Sequence, residues 1–364
     1  MRIKEVASIL EEFAPLLYQE SYDNSGLIIG NPNDNVSSVL LTVDVTEEVI
    51  DEAINKKANL IIAHHPIIFK GLKSITGKNY VEKIVVKAIK NDVAVYAAHT
   101  NIDGIWGGVN TKLGEKLGLL NKKILSPKKG ELKKLVTFVP DEHSDRVRKA
   151  LFDAGAGNIG HYDQCSFNLH GNGSFRASES SNPYIGEKGE LHFEKEIRIE
   201  TIFPKYRERN IVNAMLNAHP YEEVAYDIYP LDNEFLKAGM GAIGELPGSA
   251  EEAIFLTNLK KMFHLKCIRH SSLLGKKVKR VAVCGGTGAF LLKKAITSGA
   301  DAFLTADIKY HEYFDADKKI LLVDIGHYES ELVIKDIFYE LLTKKNLNFA
   351  VHFSGIITNP VNYF

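Results

Sequence analysis

Short apolar runs recur along the first 125 residues, separated by stretches whose apolar positions fall at helical spacing. Val39-Leu40-Leu41-Thr42-Val43 reads as a buried strand. After it Thr46 is placed to cap a helix with Glu47 and Glu48 in its first turn and Val49, Ile50, Ala53 and Ile54 on one face. A strand ending at His64, a helix near residues 80–91 and a strand ending before His99 follow, and residues 1–10 read as an amphipathic helix. The alternation resumes near the other end. Strands are expected at 280–284, 302–305, 320–323 and 348–352, with helices through Ala295 and from about Tyr328 to Lys344. Strands spaced by helices predict crossover connections and a mainly parallel α/β body.

The middle of the chain has another rhythm. A strand at 134–140 and a helix at 144–154 lead into Gly/Ser/Asn-rich turns and extended runs near 164–176 and 193–203. A helix near 206–218 and the alternating run Glu223-Val224-Ala225-Tyr226-Asp227-Ile228-Tyr229 complete a β-α-β-β-α-β order, the ferredoxin-like plan. The expected organisation is an α/β body in two parts, residues 1–130 and 234–364, interrupted by an inserted α+β domain at 131–233.

Bulk properties narrow the setting. At 364 residues the chain is long enough for two or three domains. A formal net charge of −1 provides no global field for nucleic acid or an anionic membrane. The local patch Lys276-Lys277-Val278-Lys279-Arg280 reads as a solvated turn before a strand. Cys165, Cys267 and Cys284 are too far apart for a zinc knuckle or redox pair and fit a reduced, cytoplasmic setting. No apolar stretch has the length of a membrane span or a signal peptide.

The candidate chemistry lies where the apolar runs stop. His64 and His65 close one run, and Pro66 ends the strand there. Successive strand residues face opposite sides, so two rings serving one site require the backbone to leave strand geometry at that point. His99-Thr100-Asn101-Ile102-Asp103 follows a second run, and His327-Tyr328-Glu329-Ser330-Glu331 a third. His327 and Glu331, four apart at a helix start, share a face. Blander readings exist for each: a ring bonded to a helix end, an Asp-Gly turn at Asp103-Gly104, a surface His/Glu pair. The recurrence at three strand ends favours a metal site. Three histidines and two carboxylates exceed one tetrahedral zinc and suit two divalent ions about 3.5–4 Å apart sharing a carboxylate. Zinc is the expected ion, with Fe, Mn and Mg also compatible. Gly285-Gly286-Thr287-Gly288 is either a tight strand-to-helix turn or a phosphate cradle, and is neither a Walker loop nor a dinucleotide fingerprint. Asp307, His311 and Glu312 follow a strand and are candidates for supporting or substrate-facing roles.

His64-His65-Pro66, His99-Thr100-Asn101-Ile102-Asp103, Thr305-Ala306-Asp307-Ile308-Lys309-Tyr310-His311-Glu312 and Gly326-His327-Tyr328-x-x-Glu331 together resemble the Nif-three-like family. Its members are called GTP cyclohydrolase 1 type 2 homologs or dinuclear-metal hexameric proteins. The insert, through Ala218-His219-Pro220-Tyr221-Glu222-Glu223-Val224-Ala225-Tyr226, is similar to signalling proteins of the PII and CutA type. The resemblance implies a two-metal site on His64, His65, Asp103, His327 and Glu331, and a toroidal homohexamer. The expected function is a metal-dependent hydrolase acting on a nucleotide or other phosphorylated small molecule, with Glu331 and His311 as catalytic candidates and His99 as a second proton carrier. The competing expectation is a non-catalytic, metal-binding ring that senses a ligand.

Overall fold

The computed structural model describes residues 1–364, in two compact units. One comprises residues 1–127 and 236–364, the other residues 128–235.

The chain starts with α1 (Ile3–Phe13), then β1 (Gly26–Ile29), β2 (Ser38–Thr42), α2 (Glu47–Asn55), β3 (Leu60–Ala63), α3 (Tyr80–Lys90) and β4 (Ala94–Ala97). Every residue of β2, β3 and β4 is buried, so these strands read as unbroken apolar runs without alternation. Thr46 caps α2 by accepting from the Val49 amide, and Asn79 caps α3 by accepting from Glu82. Two short helices, α4 (Thr100–Asp103) and α5 (Val109–Lys116), lead to β5 (Leu120–Lys129).

The second unit is built from β6 (Leu132–Pro140), α6 (Ser144–Asp153), β7 (Phe167–Arg176), β8 (Leu191–Pro204), α7 (Glu208–Ala218) and β9 (Tyr226–Leu231). Its sheet has the order β7-β8-β6-β9 with all pairs antiparallel, the ferredoxin-like arrangement. Alternate residues of β6 and β8 (Leu135, Val139, Ile197, Ile199 and Phe203) pack on Val147, Leu151, Ile211 and Met215 of the two helices. Strand β9 begins at Tyr226, three residues later than its alternation suggests. The segment before it is engaged elsewhere, Glu222 accepting the Asn182 amide at 2.7 Å.

The body resumes with β10 (Glu234–Glu251), α8 (Glu252–Met262), β11 (Arg269–His270), β12 (Lys277–Thr287), α9 (Leu292–Thr297), β13 (Ala302–Ala306) and β14 (Leu321–Asp324). It closes with α10 (His327–Glu331), α11 (Ile334–Thr343) and β15 (Ala350–Phe353). Two sheets make up this unit. The first, β1-β4-β3-β2-β15, is parallel except at its β1 edge. The second, β11-β14-β13-β12-β10-β5, has parallel β12, β13 and β14 at its centre and antiparallel β10 and β11 beside them. The last strand of the chain thus returns to the first sheet, beside β2. No helix is long and apolar enough to cross a membrane, and all three cysteines are free.

Candidate metal centre

β3 stops at Ala63, and the amides of His64 and His65 both donate to the Val43 carbonyl at 3.0 Å. That departure from strand geometry lets two successive rings face one site, their centroids 4.8 Å apart. His99 follows the end of β4, Asp103 ends α4, and His327 and Glu331 bracket α10. The C-terminal ends of strands from both sheets thus supply the site, the usual location in α/β folds.

Each of the four imidazoles has Nδ1 engaged. His64 bonds the Ala98 carbonyl at 2.8 Å, while His65 meets Asp44, His99 meets Asp23 and His327 meets Asp307, each at 2.7 Å. These partners only accept, which assigns the proton to Nδ1 and leaves each Nε2 as a lone-pair donor. Inward, His65 Nε2 lies 3.3 Å from His327 Nε2, and the two stand 3.1 and 3.0 Å from Glu331 Oε2. His64 Nε2 is 3.6 Å from Glu331 Oε1 and 3.7 Å from an Asp103 oxygen. Lone pairs facing lone pairs need positive charge between them. His64 Nε2, Asp103 Oδ1 and Glu331 Oε2 are moreover buried with no hydrogen bond, a costly state that coordination of a cation relieves. Three overlapping groups have donor atoms within 4.8 Å of one another: His64/His65/His99, His65/His327/Glu331 and His64/Asp103/Glu331. The residues therefore fit a metal site.

The electrostatics agree. Burial alone would lower the His65 pKa, but the Asp44 and Glu331 carboxylates outweigh it and push the ring up to about 10. His327 is likewise raised to about 9, burial being outweighed by Glu331 and Asp307. Asp103 is driven up to about 7 by burial against the opposing pull of His64. Glu331 is also buried, yet the surrounding imidazoles hold it well below the usual carboxylate range. The metal-free site thus draws positive charge in as protons.

The glycine run closes the end of β12 and packs against this carboxylate. Gly286 has φ +60°, and a methyl group there would lie 2.2 Å from Glu331 Oε1. Its amide donates to Ser330 Oγ at 2.9 Å. The glycines make room for Glu331.

Of the residues singled out from the sequence, the structure brings His64, His65, Asp103, His327 and Glu331 together with His99. Asp307 supports His327. His311 lies outside this network, exposed and packed on the rings of Tyr310 and Phe314. Asp44 and Asp23 escaped the sequence reading. Asp44 follows the end of β2 and obeys the same strand-end rule as His64. Asp23 sits in an irregular segment before β1 and carries no such signal.

A two-sheet α/β body with a histidine–carboxylate cluster at its strand ends, interrupted by a ferredoxin-like unit, defines the class of protein. Residues 1–360 match the family described as Duf34/NIF3 (NGG1p interacting factor 3), and the chain belongs to that family. It is 42% identical over 363 residues to a Halalkalibacterium halodurans protein and 40% identical over 365 residues to one from Bacillus subtilis. At least 98% of each chain is covered, and both relatives are named GTP cyclohydrolase 1 type 2 homolog. Among solved structures, a Bacillus cereus protein related to NIF3 superposes with a TM-score of 0.89 at 42% identity, covering 100% of this chain and 99% of that one.

Proposed function

We propose that this chain holds two divalent ions and uses them as a hydrolase of nucleotides or other phosphorylated small molecules. The carrying observation is the two-sided seating of Glu331. Its Oε2 lies against His65 and His327, and its Oε1 faces His64, which neighbours Asp103. One group is then His65, His327 and Glu331, the other His64, Asp103 and Glu331, with the carboxylate common to both. Ions bound there supply Lewis acidity and ease the deprotonation of water near neutral pH. Asp44 and Asp307 orient the rings of His65 and His327. His99, steadied by Asp23, presents its free nitrogen to the same cluster and is the better-placed proton carrier; His311 is the second candidate. Nitrogen and oxygen donors without thiolate suit zinc, and also Fe, Mn or Mg. The relatives' name, GTP cyclohydrolase 1 type 2 homolog, supports a nucleotide substrate, and the family resemblance supports a homohexamer, which would show a solution mass near six times 40.5 kDa.

The test assays metal-loaded wild type and Glu331→Gln on nucleotides and phosphoesters. Turnover that depends on added metal and falls by orders of magnitude in the variant is expected. Equal trace activity in both would mean a contaminant. The non-catalytic, ligand-sensing reading, which the separate cavity of the inserted unit favours, would then take its place.

A further inference from the structure

The inserted unit contains a cavity of about 790 Å³, within the range of small-molecule sites. Its floor is the sheet face opposite α6 and α7, formed by Phe138 of β6, the glycine-bearing centre of β7, and Glu196 and Arg198 of β8. The loop following β7 and the segment following α7 line the rest, joined by the Asn182 amide donating to Glu222. Four aromatic residues, Phe138, Phe175, Tyr184 and Tyr221, stand in the lining. Tyr221 stands 6.1 Å from Phe175 and 6.2 Å from Tyr184 between ring centroids.

The charges on the floor are unequally satisfied. Arg198 is paired through one Nη with Glu200 at 2.9 Å, and Glu200 also holds Lys134, while the buried Arg198 Nε has no hydrogen-bond partner. Arg176 is the other guanidinium in the lining. Glu196 has no cationic partner. Tyr221 donates its hydroxyl to Glu196 Oε1 at 3.0 Å, and the other oxygen lies over Gly173, where a methyl group would come within 2.2 Å of it. Burial, only partly offset by the Tyr221 hydrogen bond, holds this carboxyl above its ordinary range, with Glu194 adding like charge. A carboxylate without a cationic partner, bonded to Tyr221 in a cavity that three further aromatic residues line, matches an organic cation: the ammonium meets the carboxylate, and the apolar body packs on the rings.

We propose that the inserted unit binds an organic amine carried on an apolar or aromatic body, with Glu196 as counter-ion and Phe138, Phe175, Tyr184 and Tyr221 as its walls.

The test uses the full-length protein and titration calorimetry with phenethylamine, tyramine and tryptamine, alongside 2-phenylethanol as the neutral and phenylacetate as the anionic counterpart. Saturable binding of the amines is expected, weakened at least about tenfold in Glu196→Gln. A second variant, Gly173→Ala, displaces the carboxylate without removing its charge and should weaken the amines in the same way. Circular dichroism and melting temperature establish that both variants are folded. Failure of all three amines to bind, equal amine binding in wild type and folded Glu196→Gln, or preference for phenylacetate would each overturn the proposal.

Discussion

Gly286 and Glu331 are 45 residues apart in sequence and define each other's conformation. The left-handed backbone at Gly286 and the space where its Cβ would stand let the carboxylate reach both imidazole groups. Gly286→Ala should therefore lower bound metal measurably in elemental analysis of purified protein, while far-UV circular dichroism stays that of a folded chain. Unchanged metal content would separate the glycine from the site. The raised histidines make a second prediction. His65 and His327, shifted from 6.5 to about 10 and about 9, stabilise the metal-free fold fully below pH 6.5 and lose that contribution as pH rises through 9 and 10. A bound ion needs both rings unprotonated, so it releases protons at neutral pH and binds more tightly as pH rises. The melting-temperature gap between metal-loaded and metal-free protein should widen from pH 7 to pH 9.5, and a gap that narrows would contradict the assignment.

Helix starts and buried strands are where element-level reading works best. Thr46 was legible as a cap from the polar residue, the acidic first turn and the apolar face that follow one another. Its hydroxyl accepts the Val49 amide at 3.3 Å. Thr46→Ala should cost about 1 kcal/mol in urea unfolding, and an unchanged midpoint would show that this cap does not hold α2. Strand β10 was not legible. Lys237-Ala238-Gly239-Met240-Gly241-Ala242-Ile243-Gly244 has the composition of a turn-rich loop, yet it runs through a long strand. Its glycines answer to neighbours distant in sequence: a Cβ at Gly239 would stand 2.3 Å from the Ser126 carbonyl of β5. The helix expected from Tyr328 to Lys344 is two helices, α10 and α11, with Leu332 and Val333 between them keeping right-handed helical angles. The histidine pair was readable because Pro66 and the apolar run isolate it. Asp23 was not, since only the folded chain brings it to His99.

At the scale of the whole molecule, β5 leads out of the body and β10 leads back as its neighbour in the same sheet. The close approach of Gly239 to Ser126 and Pro127 puts exit and return side by side. We propose on this ground that residues 131–233 are separable. Joining residue 130 to residue 233 through a short Gly/Ser linker should yield a folded chain that binds metal as wild type does, by circular dichroism and elemental analysis. Aggregation with loss of metal would show that the body depends on the insert.

The return of β15 to the side of β2 also orders events in time. Ser38 pairs with Ala350, so the first sheet keeps an open edge until residue 350 has been synthesised. At about 5–20 residues per second that wait is roughly a quarter of a minute to a minute. Throughout it, β2 presents unpaired amides and carbonyls, a template for any passing strand. His64 and His65 wait a somewhat shorter time for His327 and Glu331. Pairing with β15 is what closes that edge, so the arrival of Ala350 to Phe353 ends the exposure of β2.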